Sequence, residues 1–163
     1  MATNEVKSYF QDKMTKNHCF GCGIDNKNGL QIKSYWSGEK ESTCIFQPKK
    51  HHAAGPIQFM NGGISATIID CHTVCTAMAR HYRDEGREIG SGDLIWCVTG
   101  SLELQYKRPV PLNKPVRLLA RIEKEEGQKT FLNCGLYSGE TLCVTATVLA
   151  IRVNDEWLKA NPN

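Results

Sequence analysis

No run of this sequence is long and apolar enough to span a bilayer, which takes about 20 consecutive apolar residues. Its first residues, Met1-Ala2-Thr3-Asn4-Glu5-Val6-Lys7, lack the apolar core of a secretion signal. An excess of charge of one sign is missing too. Twenty Lys and Arg against seventeen Asp and Glu leave a net charge of +3, too mild and too scattered to argue for a nucleic-acid partner. There is no internal repeat and no low-complexity segment. These absences predict a soluble, cytoplasmic protein with no membrane or nucleic-acid partner. At 163 residues and 40% hydrophobic content, the chain is long enough for one domain with a real core.

Cysteine is plentiful, at eight residues, but a disulfide framework is not the expectation. Cys44, Cys71, Cys75, Cys97, Cys134 and Cys143 lie in apolar or strand-like segments, where a free thiol behaves as a small hydrophobe. In a reducing compartment, Cys71 and Cys75, four apart on one helical face, pack rather than bridge. Cys19-Phe20-Gly21-Cys22 has the spacing of half a zinc site. A closed site needs four ligands, and no second Cys-x-x-Cys is present. Only Cys44 and the pair His51-His52 stand out as completing ligands, at an unusual spacing. The expectation is a glycine-assisted turn holding structural thiols and no metal.

Hydrophobic periodicity orders the elements. Val6, Phe10 and Met14 fall at helical spacing behind Asn4, predicting a short amphipathic helix over 4–14. Strand-like runs follow at 30–36 and 41–46 around the Ser37-Gly38 turn. A loop over 48–60 leads to a long helix from Asn61 to about Tyr82, so poor in charge before Arg80 that it belongs inside the fold. Strands are predicted over 95–108, 116–124, 129–137 and 141–153, with hairpin-length connections that imply antiparallel pairing. One buried helix needs cover on most sides, and a curved antiparallel sheet wrapped round it provides that. The fold class is therefore α+β.

The chemistry concentrates at Asn61-Gly62-Gly63-Ile64-Ser65-Ala66-Thr67-Ile68-Ile69-Asp70. Asn61 is a good helix N-cap, and the glycines after it leave the first amides of the helix bare at its positive end. Such amides receive an anion or an oxyanion. Asp70, flanked by Ile68, Ile69 and Cys71, is a candidate base or nucleophile. The bland readings are a simple cap and turn, and an acid that faces solvent or pairs with Arg80 or Arg108.

Taken together, Cys19-Phe20-Gly21-Cys22-Gly23, Asn28-Gly29-Leu30, Asn61-Gly62-Gly63, Asp70 and Tyr106-x-x-Pro109 closely resemble the hotdog-fold acyl-CoA thioesterases of the phenylacetate-pathway (PaaI-like) type. The resemblance covers roughly residues 18–153. It divides the chain into a helical extension (1–17), a hotdog domain (18–153) and a loose tail (154–163). It implies that a glycine amide at Gly62, with Gly63 beside it, polarises a thioester carbonyl. It also implies that Asp70 is the base or nucleophile, and that Thr99, counted back from Tyr106, helps place water. The family's His at the helix start is Asn61 here, a departure that bears on rate or substrate choice. The loop before the helix would line the acyl or pantetheine channel.

From Gly63 to Asp70 is seven residues, or about 10 Å along a helix. Reacting atoms must approach to about 3–3.5 Å, so glycine end and acid cannot serve one carbonyl within a chain. Two antiparallel helices across a two-fold axis remove the difficulty, which predicts a homodimer or a dimer of dimers. The expected activity is hydrolysis of an acyl-CoA or acyl-carrier thioester with no cofactor, coenzyme A entering only as part of the substrate. Two other readings stand beside it: a non-catalytic acyl-thioester-binding module, and a dehydratase, the latter disfavoured because no His is suitably placed near Asp70. Trp96, Phe59, Phe46 and Met60 suit an acyl pocket or the core equally well.

Overall fold

A computed structural model describes residues 6–160. In chain order it contains α1 (Phe10–Lys13), β1 (Ser34–Trp36), β2 (Glu41–Phe46), a 3-10 turn (Lys50–His52) and α2 (Gly62–Asp84). After these come β3 (Trp96–Tyr106), β4 (Val116–Glu126), β5 (Lys129–Ser138), β6 (Thr141–Val153) and α3 (Asp155–Ala160). The strands form one six-stranded sheet in the order β1-β2-β4-β5-β6-β3, antiparallel at every pairing. Helix α2 packs against β1, β3, β4, β5 and β6, so the sheet curls about it. This is the hotdog arrangement, α+β with one long central helix.

Alternation along the strands builds the inner face. Cys44, Leu118, Leu136 and Val144 lie in one cross-strand row and are all fully or almost fully buried. Against such rows α2 presents Ile68, Ile69, Cys75, Ala77 and Met78, apolar round more than a single stripe, as a helix enclosed by a sheet requires. No helix among the described residues is long and apolar enough to cross a membrane.

The core also holds a polar network. His72 is fully buried, its Nε2 3.2 Å from the Ser42 carbonyl and its Nδ1 2.8 Å from Ser34 Oγ. A carbonyl only accepts, so Nε2 carries the proton and Nδ1 accepts from Ser34. Gln11 Nε2 donates to Ser34 Oγ at 2.9 Å, and Gln11 Oε1 accepts from the Ser34 amide at 2.7 Å. Burial pushes the His72 imidazole down to about 4.

Several elements depart from the sequence reading. The predicted helix over 4–14 shrinks to Phe10–Lys13; Asn4 lies outside the described residues. Val6 is exposed, whereas Phe10 meets Trp36 with ring centroids 5.0 Å apart, so only the end of the pattern finds a core. Residues 10–14 are part of the fold's interior, with Phe10, Gln11 and Met14 all buried. The strand predicted over 30–36 begins only at Ser34. Leu30 and Ile32 instead donate their amides to Phe20 and Gly21 of the cysteine turn, at 2.7 and 3.1 Å. The tail forms α3, with Asn154 Oδ1 accepting from the Trp157 amide at 2.9 Å.

A further correction concerns topology, because β3 does not pair with β4. It lies at the sheet edge beside β6. The link between them carries Pro109, Pro111 and Pro115 and is no hairpin. It crosses the start of α2, where the Met60 amide donates to the Val110 carbonyl at 2.8 Å and the Leu112 amide to the Gln58 carbonyl at 2.9 Å.

Candidate active site

The helix start is held from three sides. The Asn61 amide donates to the His52 carbonyl at 2.8 Å, tying the helix to the 3-10 turn, and the His52 ring stacks on Phe46. Tyr106, at the end of β3, donates its hydroxyl to the Gly62 carbonyl at 2.7 Å. Asn61 caps the helix, its Oδ1 accepting from the Gly63 amide at 2.8 Å and from the Ile64 amide at 3.2 Å. The two glycines therefore differ. Gly63 gives its N–H to the cap, whereas the Gly62 N–H is exposed and engaged by neither the cap nor the loop. Of the two expected oxyanion donors, Gly62 is the open one. Asn61 acts through the cap, which makes it a positioning residue for this end.

A cleft of about 220 Å³ opens at this point, lined by Met60, Gly62, Ser65, Tyr106, Lys107 and Arg108 among others. A second, more apolar cavity of about 480 Å³ lies along the loop, with Ile57, Phe59, Pro111 and Leu112 on its walls. The loop thus lines a cavity beside the helix start. Of the four residues left open between pocket and core, Phe59 faces this cavity, Phe46 is buried in the core, Met60 belongs to the core and also lines the cleft at Gly62, and Trp96 packs half-buried against the core.

Asp70 sits two turns further along α2, half-buried. Thr99 donates its hydroxyl to Asp70 Oδ1 at 2.6 Å. A register shift lets Thr99 reach this point: Thr99 pairs with Ala150 and Ser101 with Leu149, leaving Gly100 as the extra residue of a bulge. A Cβ on Gly100 would lie 2.6 Å from Ile151 Cδ1, so a side chain at the bulge would require the Ile151 side chain to move. Burial pushes the Asp70 carboxyl above its ordinary value, with the Thr99 hydroxyl pulling the other way. Among the described residues no salt bridge reaches Asp70; Arg80 pairs with Asp84 and Glu125 instead. His72, next in sequence to Cys71, points into the core network and away from any partnership with Asp70.

The structure therefore joins Asp70 with Thr99, and joins Asn61, Gly62 and Gly63 at the helix start. Within one chain it keeps the two groups apart by the length of helix between them, about 12 Å from Gly62 to Asp70. The role of Tyr106 as the anchor of Gly62 was not read from the sequence, where only its Tyr-x-x-Pro signature stood out.

The ligand count behind the metal-free expectation rises from two to three. Cys44 is buried in β2, and His52 is stacked on Phe46, so neither stands with the Cys-x-x-Cys turn. The third thiol comes from α2: the Sγ atoms of Cys19, Cys22 and Cys71 all lie within 4.8 Å of one another.

Known proteins resemble this chain over most of its length. The profile of the Thioesterase superfamily matches residues 57–145, which include the helix start, Asp70, Thr99 and Tyr106. Acyl-coenzyme A thioesterase THEM4 of Rattus norvegicus is 30% identical over 159 residues, covering 94% of this chain and 63% of that protein. The Xenopus laevis protein of the same name is 32% identical over 124 residues, covering 73% of this chain and 48% of that protein. The chain thus spans about half to two thirds of the length of these relatives. A thioesterase superfamily protein from Shewanella loihica superposes with a TM-score of 0.64 at 27% identity, over 85% of this chain and 96% of that one.

Proposed function

This chain belongs to the thioesterase superfamily, and we propose that it hydrolyses an acyl-CoA-type thioester to a free acid and a thiol. The observation that carries the reading is the 2.6 Å hydrogen bond from Thr99 to a half-buried Asp70, on a helix headed by an open glycine amide. Asp70 takes a proton from water while the oxygen attacks the thioester carbonyl. The oxyanion is received by the Gly62 N–H at the positive end of α2. When the tetrahedral intermediate collapses, the C–S bond breaks and the departing thiolate recovers the proton from Asp70. A direct attack by the carboxylate would pass through an acyl-enzyme anhydride instead, and hydrolysis in ¹⁸O-water under single turnover separates the two by whether label enters Asp70.

Because Gly62 and Asp70 of one chain are too far apart, the site is read as shared: Gly62 of one protomer faces Asp70 of the partner subunit across a two-fold axis. The long edge strand β3 offers the unpaired backbone for such an association. Coenzyme A is favoured as carrier by Lys107 and Arg108 on the cleft at Gly62. The arginines of the other basic cluster are already engaged, Arg80 with Asp84 and Glu125, Arg87 with Glu85, and Arg83 with the Glu39 carbonyl. The finer assignment to the phenylacetate-pathway type rests on the sequence motifs Cys19-Phe20-Gly21-Cys22-Gly23, Asn28-Gly29-Leu30, Asn61-Gly62-Gly63, Asp70 and Tyr106-x-x-Pro109. All eight thiols are free, in keeping with a reducing, cytoplasmic setting.

The test is steady-state hydrolysis of acyl-CoA esters of varied chain length and aromatic substitution, by wild type and by Asp70→Asn. Turnover by wild type that falls roughly 10²–10⁴-fold in kcat in the variant supports the reading. A wild type that binds acyl-CoA without cleaving it, and gains a rate on Asn61→His, would instead identify a binding module in which Asn61 has cost the activity. A wild type that neither binds nor cleaves any acyl thioester removes both readings.

A further inference from the structure

Three of the eight cysteines meet at one place outside the chemistry described above. The thiols of Cys19, Cys22 and Cys71 form a cluster within 4.8 Å, and Cys19 Sγ lies 3.6 Å from Cys71 Sγ. A disulfide requires about 2.05 Å, so these two sulfurs are not bonded. Thiolates at about 2.3 Å from a tetrahedral zinc stand roughly 3.8 Å apart. The observed spacing is close to that of a zinc site. Cys75 follows Cys71 by one helical turn on the same face and lies next to this cluster in sequence, outside the 4.8 Å group.

The backbone around the cluster is shaped for this approach. A Cβ on Gly21 would lie 2.2 Å from Cys71 Sγ, so the turn reaches α2 only because residue 21 has no side chain. A Cβ on Gly23 would strike Asn17 O and Cys19 N, both at 2.5 Å, so the turn itself closes only with glycine there. The Gly23 amide donates to the Cys19 carbonyl at 2.9 Å, the Asp25 amide to the Asn17 carbonyl at 3.1 Å, and the Cys19 amide to Asn17 Oδ1 at 3.0 Å. These bonds fix both cysteines of the turn before any metal arrives. Cys19 is exposed and gives an ion a way in, while Cys22, Cys71 and Cys75 are buried.

We propose that Cys19, Cys22 and Cys71 bind one zinc ion, with the Cys75 side chain turning in as the fourth thiolate, as a closed site that fastens the 17–32 segment to α2 beside Asp70. Binding releases the thiol protons to solvent and involves no change of oxidation state. The ion has no open position for substrate, so its role is structural. It holds the helix turn that carries Asp70, and with it the register of the acid against Thr99.

The experiment is metal analysis of the full chain purified under reducing conditions without chelator, together with anaerobic cobalt substitution of the wild type. The expected result is about one zinc per chain. Cobalt should give the intense thiolate-to-metal charge-transfer and d–d bands of a tetrahedral sulfur site. Cys22→Ser and Cys71→Ser should fall to about a tenth of that metal content or less, while Cys134→Ala, a buried thiol of β5, keeps it. Should the serine variants fail to fold, the cobalt spectrum of the wild type decides alone. Wild type with neither zinc nor the cobalt bands overturns the proposal. So does an intact mass showing a Cys19–Cys22 disulfide in the reduced preparation, or serine variants that fold and keep their zinc.

Discussion

At the scale of single residues, the side chain doing most for Asp70 is Thr99. Its hydroxyl donates to Oδ1 at 2.6 Å, aiming the carboxylate and supporting its charge against burial. Hydrogen bonds to charged groups contribute about 1.5–3 kcal/mol, so Thr99→Val should lower kcat by roughly 10- to 100-fold. KM should change little, which a kcat and KM comparison on one acyl-CoA checks; a KM effect at constant kcat would make Thr99 a binding residue instead. Tyr106 acts one step removed, holding the Gly62 carbonyl so that the adjacent N–H faces the cleft. Loss of that neutral bond in Tyr106→Phe should cost about 0.5–1.5 kcal/mol, or roughly 2- to 10-fold in kcat. Unchanged turnover would show that the other ties on the helix start are enough. Asp70 and the glycines were legible because a capped, glycine-headed helix with one acid inside its apolar stretch is a local pattern. Tyr106 was not, because its partner is 44 residues away and nothing local marks a tyrosine hydroxyl as an anchor.

Among the elements, the long central helix and β4, β5 and β6 could be read from periodicity, since each is long and buries a regular face, and β3 from its sequence alternation although only Cys97 of it is buried. The first strand was misjudged because Leu30 and Ile32 look like strand residues but bond to the cysteine turn. Strand order was misjudged because pairing of β3 with β6 is a long-range contact, and chain neighbours are only the default. The cysteine turn is the sharpest case. In sequence it stood as a lone pair of thiols, and the fold brings a third, Cys71, from a helix some fifty residues later. Its close approach makes a plain prediction: Gly21→Ala puts a Cβ 2.2 Å from Cys71 Sγ and should destabilise the protein by about 1–3 kcal/mol. Chemical denaturation of the purified variant measures this. An unchanged midpoint would mean that the turn is free to lift from α2.

For the molecule as a whole, the His72 network ties together parts that the sheet does not. Through it α1, β1, β2 and α2 share one chain of hydrogen bonds: Gln11 to Ser34, Ser34 to His72, and His72 to Ser42. Replacing His72 by Leu keeps much of its volume but leaves the buried Ser34 and Ser42 groups without their imidazole partner. Each orphaned buried group costs about 1–3 kcal/mol, so His72→Leu should lower the thermal midpoint by several degrees. A calorimetric scan showing no loss would mean that these hydroxyls re-pair among themselves, as Ser42 and Thr76 already do at 2.6 Å.

The central claim is that one active site draws Gly62 and Asp70 from two protomers, and complementation tests it most directly. Gly62→Pro removes only the open amide, at the first helical position where proline fits best, and a Cβ there meets the Tyr106 ring at an ordinary 3.5 Å. Alone, Gly62→Pro should lose roughly 10²–10³-fold in kcat and Asp70→Asn roughly 10²–10⁴-fold. Co-expressed in equal amounts, the two variants form mixed dimers in which one site carries both lesions and the other carries none. The acyl-CoA hydrolysis rate per chain should therefore recover to about a quarter of wild type. Mixed protein no more active than the two variants measured apart, though shown to contain both chains in one dimer, would contradict a site built from two protomers.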